Sequence, residues 1–283
     1  MSNKVIISAD STCDLPKEIL EKYNIITTPL HVTLGEKTYD DLVDITPDEI
    51  YEYFEKTGKL PKTSAVNMQE YIDKFKPYID EGYEIVHISI GGALSTSHQQ
   101  SKLAAQELGN IYPVDSCCLS TGSGMLVLEA VEMLEKGMGA AEIAEAVKKL
   151  VPKVHGSFIV DKLDYLRAGG RCSTVAVLGA NLLGIKPCIE INNADGSMTV
   201  GKKYRGKFSK VLNQYVTEKL ADPTISKKRA VIIHAGLSDD ILEAVSQQLH
   251  SRNYFDEILV ARAGCTISCH CGPNTLGIMY MTE

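Results

Sequence analysis

Short apolar runs alternate with helix-like spacing through the first half of the chain. The runs that predict buried strands are residues 5–9, 84–90 and 111–115, and residues 25–34 also have an extended character. The segments whose apolar residues recur at helical spacing are 47–56, 68–79, 94–108, 122–135 and 141–150. Strands that alternate with helices are typical of a mostly parallel sheet with helices on both faces.

Two helix starts carry residues that favour a cap. Thr46 stands three residues before Glu49, which is the pattern of a capping box. Asp14 stands two residues before Pro16, so we expect its carboxylate to cap a short helix that begins there.

The second half has a different pattern of predicted strands and helices. Asn193-Ala194-Asp195-Gly196 between the extended segments 188–192 and 198–204 predicts a β-hairpin. Further strands are predicted at 158–160, 229–234, 257–261 and 276–281, and helices at 163–167, 175–183, 207–220 and 239–250. The sequence therefore predicts an α/β protein of two domains. Residues 1–152 form an N-terminal domain with a mostly parallel sheet, and residues 153–283 form a C-terminal α+β domain.

Composition and charge narrow the classes of function. The chain has 283 residues, of which 44% are hydrophobic, and a net charge of -7. Because nucleic-acid binding requires clustered basic residues, this balance argues against a general nucleic-acid partner. One basic stretch without acidic residues contains Lys202, Lys203, Arg205, Lys207 and Lys210. It is either a solvated hairpin or a docking surface for an acidic partner or phosphate.

The chain carries no segment that predicts membrane insertion. No apolar run approaches the roughly 20 residues that cross a bilayer, and no signal-peptide core is recognisable. We therefore expect a cytoplasmic protein without an integral membrane segment. Its eight cysteines are then expected to be reduced thiols rather than disulfides.

Three familiar catalytic or metal patterns are incomplete. The stretch from Gly196 to Lys203 resembles a phosphate loop but lies across the predicted hairpin. Ser95 lacks the flanking glycines of a hydrolase elbow. The cysteines around His270 suggest zinc, but in an extended segment they would face away from the imidazole. We therefore expect no metal site. A serine-dependent acyl hydrolase that uses Ser95 and His270, and a cysteine-based metal or redox regulator, remain alternatives.

Four separated turns carry small polar groups suited to holding an anion. They are Pro61-Lys62-Thr63-Ser64, Gly91-Gly92-Ala93-Leu94-Ser95-Thr96-Ser97, Gly169-Gly170-Arg171 and His270-Cys271-Gly272-Pro273. The second turn follows a predicted parallel strand, where ligands of open α/β sheets bind. Each turn has a simpler explanation as a helix cap or a tight turn. Together they offer hydroxyls, backbone N–H groups, a guanidinium and an imidazole.

These turns carry a resemblance that runs the length of the chain. In order, they resemble motifs of the DegV family of bacterial fatty-acid-binding proteins, which includes binding subunits of fatty-acid kinase. The matching segments are Asp10-Ser11-Thr12-Cys13-Asp14-Leu15-Pro16, Pro61-Lys62-Thr63-Ser64, Leu94-Ser95-Thr96, Tyr165-Leu166-Arg167-Ala168-Gly169-Gly170-Arg171 and His270-Cys271-Gly272-Pro273-Asn274-Thr275-Leu276-Gly277.

The resemblance implies a non-enzymatic lipid carrier with no cofactor. One long-chain fatty acid, such as palmitate or oleate, would lie in a tunnel between the two domains, which residues 175–183 could line. A kinase catalytic subunit would phosphorylate the presented carboxylate. The residues implied for the carboxylate are Thr63, Ser64, Ser95, Thr96, Arg171 and His270. Those implied for kinase docking are Lys203, Arg205 and Lys207.

Three places depart from the family pattern. Ala65-Val66-Asn67 and Thr96-Ser97-His98 replace the residues that usually end the second and third motifs, and Asn274 replaces a glycine. Thr96 stands where a glycine normally allows close backbone approach. Asparagine tolerates left-handed backbone geometry better than most residues. We expect these changes to alter head-group geometry or acyl preference.

Overall fold

The computed structural model describes residues 4–174 and 184–283. Its strands are β1 (Lys4–Asp10), β2 (Ile26–Thr28), β3 (His31–Leu34), β4 (Lys37–Asp40), β5 (Lys62–Ser64), β6 (Tyr83–Ser89), β7 (Ile111–Asp115), β8 (Val154–Val160), β9 (Ile185–Ile191), β10 (Met198–Arg205), β11 (Ile225–Ala235), β12 (Glu257–Arg262) and β13 (Thr275–Thr282). Its helices are α1 (Lys17–Lys22), α2 (Pro47–Thr57), α3 (Met68–Asp80), α4 (Ser97–Leu108), α5 (Thr121–Glu135), α6 (Ala140–Leu150), α7 (Asp164–Gly169), α8 (Phe208–Lys219), α9 (Asp239–His250) and α10 (Cys265–Cys271).

Four strands form a parallel sheet in the order β2-β1-β6-β7. Successive residues of β6 point to opposite faces of this sheet. Ile85 packs in one apolar cluster with Tyr71 and Phe75 of α3, whereas Val86 packs in another with residues of α5 and α6. The predicted parallel sheet with helices on both faces is therefore confirmed.

Six strands form a mixed sheet in the order β10-β9-β8-β13-β11-β12. The pair β11–β12 is parallel and the other pairs are antiparallel, including the predicted hairpin of β9 and β10. Ile159 packs with α8 and α9, whereas Phe158 faces an apolar cluster that also contains residues of the parallel sheet. The α+β character of the second half is confirmed. The domain boundary at residue 152 stays a prediction.

A small antiparallel sheet of order β4-β3-β5 lies beside the parallel sheet. The extended segment predicted at residues 25–34 is divided between the two sheets, because β2 pairs with β1 and β3 pairs with β4 and β5. Pro29 lies between β2 and β3 and has no N–H to donate to a strand ladder. The capping box of Thr46 and Glu49 is confirmed at the start of α2.

Two local predictions, and the conditional assumption of an extended cysteine segment, were wrong. Asp14 does not cap α1, since Pro16 occupies the cap position and no side-chain cap hydrogen bond is formed there. The helix predicted from Leu94 begins at Ser97, so Ser95 and Thr96 belong to the preceding turn. Residues 265–271 form the helix α10 rather than an extended segment.

Two further sequence predictions concern membrane insertion and a tunnel wall. Within residues 4–174 and 184–283, no helix is long and apolar enough to span a bilayer. The apolar helix predicted at residues 175–183 lies outside the described residues.

Candidate functional site

A cavity of about 160 Å³ collects the predicted anion-binding residues. All six residues implied for a carboxylate line it: Thr63, Ser64, Ser95, Thr96, Arg171 and His270. They come from β5, from the turn between β6 and α4, from the turn after α7, and from α10. Segments that are far apart in sequence therefore meet at one polar wall.

The centre of this polar wall is a contact between Thr63 and His270. Thr63 Oγ1 lies 2.8 Å from His270 Nε2. Thr63 is held by the pairing of β5 with β3, in which it stands opposite Val32. His270 is held on its other side by Gly169, where a Cβ atom would stand 2.2 Å from Nδ1. Only glycine therefore leaves room for the imidazole in this position.

The imidazole of His270 is neutral at pH 7. Burial, with a smaller effect of the nearby Arg171 charge, lowers the pKa of His270 to about 4. A neutral imidazole has one N–H donor and one acceptor nitrogen. If Nε2 carries the proton, it donates to Thr63 Oγ1 and leaves the Thr63 hydroxyl free to donate into the cavity.

Arg171 carries the positive charge at the rim of the cavity. Its Nη1 donates to Gly169 O at 2.7 Å, and its Nε donates to Leu94 O at 3.4 Å. A guanidinium has five N–H donors, so these two bonds fix its position and leave other donors for an anion.

The turn between β6 and α4 supplies hydroxyls, and the N–H groups of its two glycines are already paired. Gly91 N donates to Cys118 O at 2.7 Å, and Gly92 N donates to the Asp115 carboxylate at 3.1 Å. These two N–H groups are therefore not free to hold an anion. Ser95 Oγ lies 3.0 Å from Ser97 Oγ and accepts from Ser97 N. Ser64 and Thr96 also line the cavity but are exposed.

Two buried carboxylates hold the start of α10, a role that the sequence did not indicate for either. Asp14 Oδ1 accepts from Gly264 N at 2.9 Å, and Asp41 Oδ1 accepts from Cys265 N at 2.7 Å. Their second oxygens accept from Ser120 Oγ at 2.5 Å and from Ser11 Oγ at 2.9 Å, respectively. Because α10 carries His270, these carboxylates set the position of the imidazole. Burial raises the pKa of Asp14 well above its ordinary value.

A third buried carboxylate holds the turn that carries Ser95. Asp10 Oδ2 accepts from Ile90 N at 2.9 Å, immediately before the turn, and Oδ1 accepts from Tyr71 Oη at 2.5 Å. Asp10, Ser11 and Asp14 belong to the opening motif of the chain. The sequence feature that could have indicated these buried acids is a pair of aspartates within a run of small polar residues at the end of β1.

A smaller apolar chamber adjoins the main cavity. Its volume is about 30 Å³. Leu119, Phe158, Ile267 and Cys271 line both spaces. The main cavity is therefore polar on the side of His270, and the smaller chamber beside it is apolar.

The cysteines near His270 are packed thiols. Cys265 and Cys269 lie in an apolar cluster with Val32, Ile45 and Ile50. Burial raises the pKa of Cys271 to about 12, so this thiol is protonated at pH 7. Across the residues that the structure describes, no group of three or more His, Cys, Asp or Glu side chains could hold a metal ion.

The basic residues implied for kinase docking lie on the edge strand of the mixed sheet and on the turn after it. Lys203, Arg205 and Lys207 are exposed, whereas Lys202 pairs with Glu218 at 2.6 Å. The strand β10 begins at Met198, which lines the main cavity, and ends at Arg205. One strand therefore connects the cavity wall to the basic surface.

Two of the departures from the family pattern are explained by the backbone. Asn274 adopts a positive φ of 56°, a conformation that asparagine accepts at lower cost than most residues. Thr96 has φ of -78° and ψ of -2°, which is ordinary right-handed geometry. A β-branched residue is thus accommodated there without backbone strain.

The fold and the cavity define an α/β protein with a parallel sheet, a mixed sheet and a pocket suited to an amphipathic ligand. Residues 4–283 match the family model described as "Uncharacterised protein, DegV family". The chain belongs to the DegV family.

Relatives of known structure or name extend over nearly the whole chain. A protein of Thermotoga maritima named "Fatty acid-binding protein" is 32% identical over 97% of this chain and 96% of its own length. A DegV family protein from Thermus thermophilus, described as fatty acid binding, matches with a TM-score of 0.89 at 27% identity, covering 99% of this chain and 100% of that one. A stearic acid-binding protein from Eubacterium ventriosum matches with a TM-score of 0.80 at 28% identity, covering 98% and 97%.

Proposed function

We propose that this protein binds one long-chain fatty acid and presents its carboxylate to a fatty-acid kinase. The observation that carries the proposal is a cavity with a polar wall and an apolar chamber beside it. The polar wall contains Thr63, Ser95, Arg171 and His270, and Phe158 lines both the cavity and the chamber. Relatives described as fatty acid-binding or stearic acid-binding support the same ligand class.

The polar wall suits a carboxylate. Thr63 and Ser95 offer hydroxyl donors and Arg171 offers a charged donor. His270 acts through Thr63, because its Nε2 lies against the Thr63 hydroxyl. A buried carboxylate is stable only when donors of this kind converge on it.

The acyl tail would supply most of the affinity. Burial stabilises each methylene by about 0.8 kcal/mol, so ~14 methylenes contribute about 11 kcal/mol before ordering costs. The cavity and its chamber, at about 160 and 30 Å³, are smaller than ligand pockets of roughly 300–1,000 Å³. We therefore expect apolar side chains around the chamber to move apart when a tail enters.

The observed contacts give less support to the alternative functions. A hydrolase would need Ser95 and His270 to act as nucleophile and base, but Ser95 Oγ contacts Ser97 and His270 Nε2 contacts Thr63. A thiol-based regulator would need an accessible thiolate, whereas burial raises the pKa of Cys13, Cys118 and Cys271 to about 12.

The ligand and its head-group contact are tested together. Native mass spectrometry and lipid extraction should find about one fatty acid per purified chain, and delipidated protein should rebind palmitate or oleate.

Thr63→Val should weaken that binding about tenfold, because a hydrogen bond to a charged group contributes roughly 1.5–3 kcal/mol. Thr33→Val is the control, since Thr33 lies in the same small sheet and contacts Thr38 at 3.0 Å. Delipidated protein that binds neither acid at micromolar concentration would refute the proposal.

The kinase step is tested separately on the basic surface. The double reversal Lys203→Glu with Arg205→Glu should leave fatty-acid affinity unchanged, since both residues are exposed. It should lower acyl-phosphate formation by a bacterial fatty-acid kinase catalytic subunit at least tenfold, because docking surfaces of opposite charge accelerate and orient association. Lys149→Glu, an exposed reversal on α6, should change neither measurement. Equal kinase rates for all three proteins would remove the docking role.

A further inference from the structure

Thr266 is a cavity residue whose hydroxyl has no partner. It lines the main cavity, its side chain is almost fully buried, and its exposure is 4%. Within the part of the chain that the structure describes, no hydrogen-bond partner lies within reach of Thr266 Oγ1. A buried hydroxyl that stays unpaired is unfavourable, so this group is expected to gain a partner in the functional state of the protein.

The position of Thr266 on α10 places it on the head-group side of the cavity. Thr266 and His270 are four residues apart, so they lie on the same face of the helix, about 6 Å apart along its axis. Ile267 and Cys271 occupy the neighbouring face and line both the cavity and the apolar chamber. Thr266 therefore borders the compartment that contains His270 rather than the one that would hold the tail.

The donors of the polar wall leave one acceptor position of a carboxylate open. An ionised carboxylate has about four lone-pair positions. Thr63, Ser95 and Arg171 can fill three of them directly, while His270 is engaged with Thr63. A fourth donor on the same wall would complete the set, and Thr266 has a hydroxyl that is not otherwise used.

We infer that Thr266 is a further ligand-contacting residue whose hydroxyl donates to a carboxylate oxygen of the bound acid. This inference rests on the proposed fatty-acid binding and adds a residue that the sequence motifs did not indicate. It also explains why a threonine, rather than an aliphatic residue of the same shape, stands among the apolar side chains of α10.

The test compares a change that removes the hydroxyl with one that keeps it. Thr266→Val removes the hydroxyl and keeps the shape, so the ligand-free protein should melt at a higher temperature than wild type. The same change should weaken myristate and stearate binding about tenfold each, because a head-group contact is independent of tail length. Thr266→Ser should restore the affinity. If Thr266 had a purely structural role, Thr266→Val would not raise the melting temperature of the ligand-free protein and at the same time weaken fatty-acid binding.

The matched control is Thr28→Val. Thr28 also has a buried hydroxyl with no partner among the residues that the structure describes, but it lies on β2 and is not among the residues that line the cavity. Its replacement should raise the melting temperature and leave both affinities unchanged. Suppose that wild-type protein binds both acids. If Thr266→Val then keeps both affinities within twofold of wild type, or weakens stearate binding alone, the inference is overturned while the proposed function stands. Wild-type protein that binds neither acid removes both.

Discussion

Replacing Gly169 by alanine should lower fatty-acid affinity by about 10- to 100-fold. The new Cβ would stand 2.2 Å from His270 Nδ1 and 3.1 Å from Cε1, so the buried ring must move. Its displacement breaks the contact with Thr63 and misplaces the hydroxyl that would donate to the carboxylate. A hydrogen bond to a charged group contributes roughly 1.5–3 kcal/mol. Titration of delipidated protein with palmitate measures the loss.

The neighbouring glycine provides a matched control for this prediction. Gly170 has a positive φ of 65°, and a Cβ placed there would meet nothing within 4 Å. Gly170→Ala should therefore lower the free energy of unfolding by about 1 kcal/mol through backbone strain and leave palmitate affinity unchanged. If the two alanine variants bind palmitate equally well, the packing of Gly169 against His270 has no role in binding.

Asp41→Ala should lower the free energy of unfolding by about 3 kcal/mol. The change leaves the Cys265 N–H and the Ser11 hydroxyl without their acceptor in a fully buried place. Each unsatisfied buried donor costs about 1–3 kcal/mol. Because Cys265 begins the helix that carries His270, palmitate affinity should fall as well. Urea unfolding and palmitate titration measure the two effects.

Two companion variants separate the role of Asp41 from a general loss of folding. Asp41→Asn keeps an oxygen that can accept from Cys265 N, so it should recover most of the affinity even if the alanine variant is too unstable to purify. Asp44→Ala removes an exposed carboxylate that accepts from Asp40 N at 2.6 Å, and it should cost less than about 1 kcal/mol. An asparagine variant that binds palmitate no better than the alanine variant would show that Asp41 does not act through this bond.

The sequence was most informative where local chemistry decides the structure. Alternating apolar runs and helical segments predicted the parallel sheet, and the turn at Asn193–Gly196 predicted the hairpin of β9 and β10. The polar turns were also recognisable, and the six side chains that the family resemblance implied for a carboxylate all line the cavity. These features depend on neighbours within a few residues, which a single sequence displays directly.

The helix α10 shows where such reasoning fails. The sequence left an extended conformation open for this cysteine-rich segment, but Cys265–Cys271 is helical. The first N–H groups of the helix region are instead paired with Asp14 and Asp41, which lie 250 and 224 residues away along the chain. No local pattern could reveal those partners.

The sequence by itself therefore determined the alternation of strands and helices in the first half, the hairpin, and the kinds of polar group that the turns offer. Tertiary structure decided that Asp10, Asp14 and Asp41 are buried supports and not helix caps or surface acids. It also decided that His270 faces Thr63 and that Gly169 must remain glycine. The physical reason is that buried carboxylates and a desolvated imidazole are stable only with specific partners, and the fold brings those partners together from distant parts of the chain.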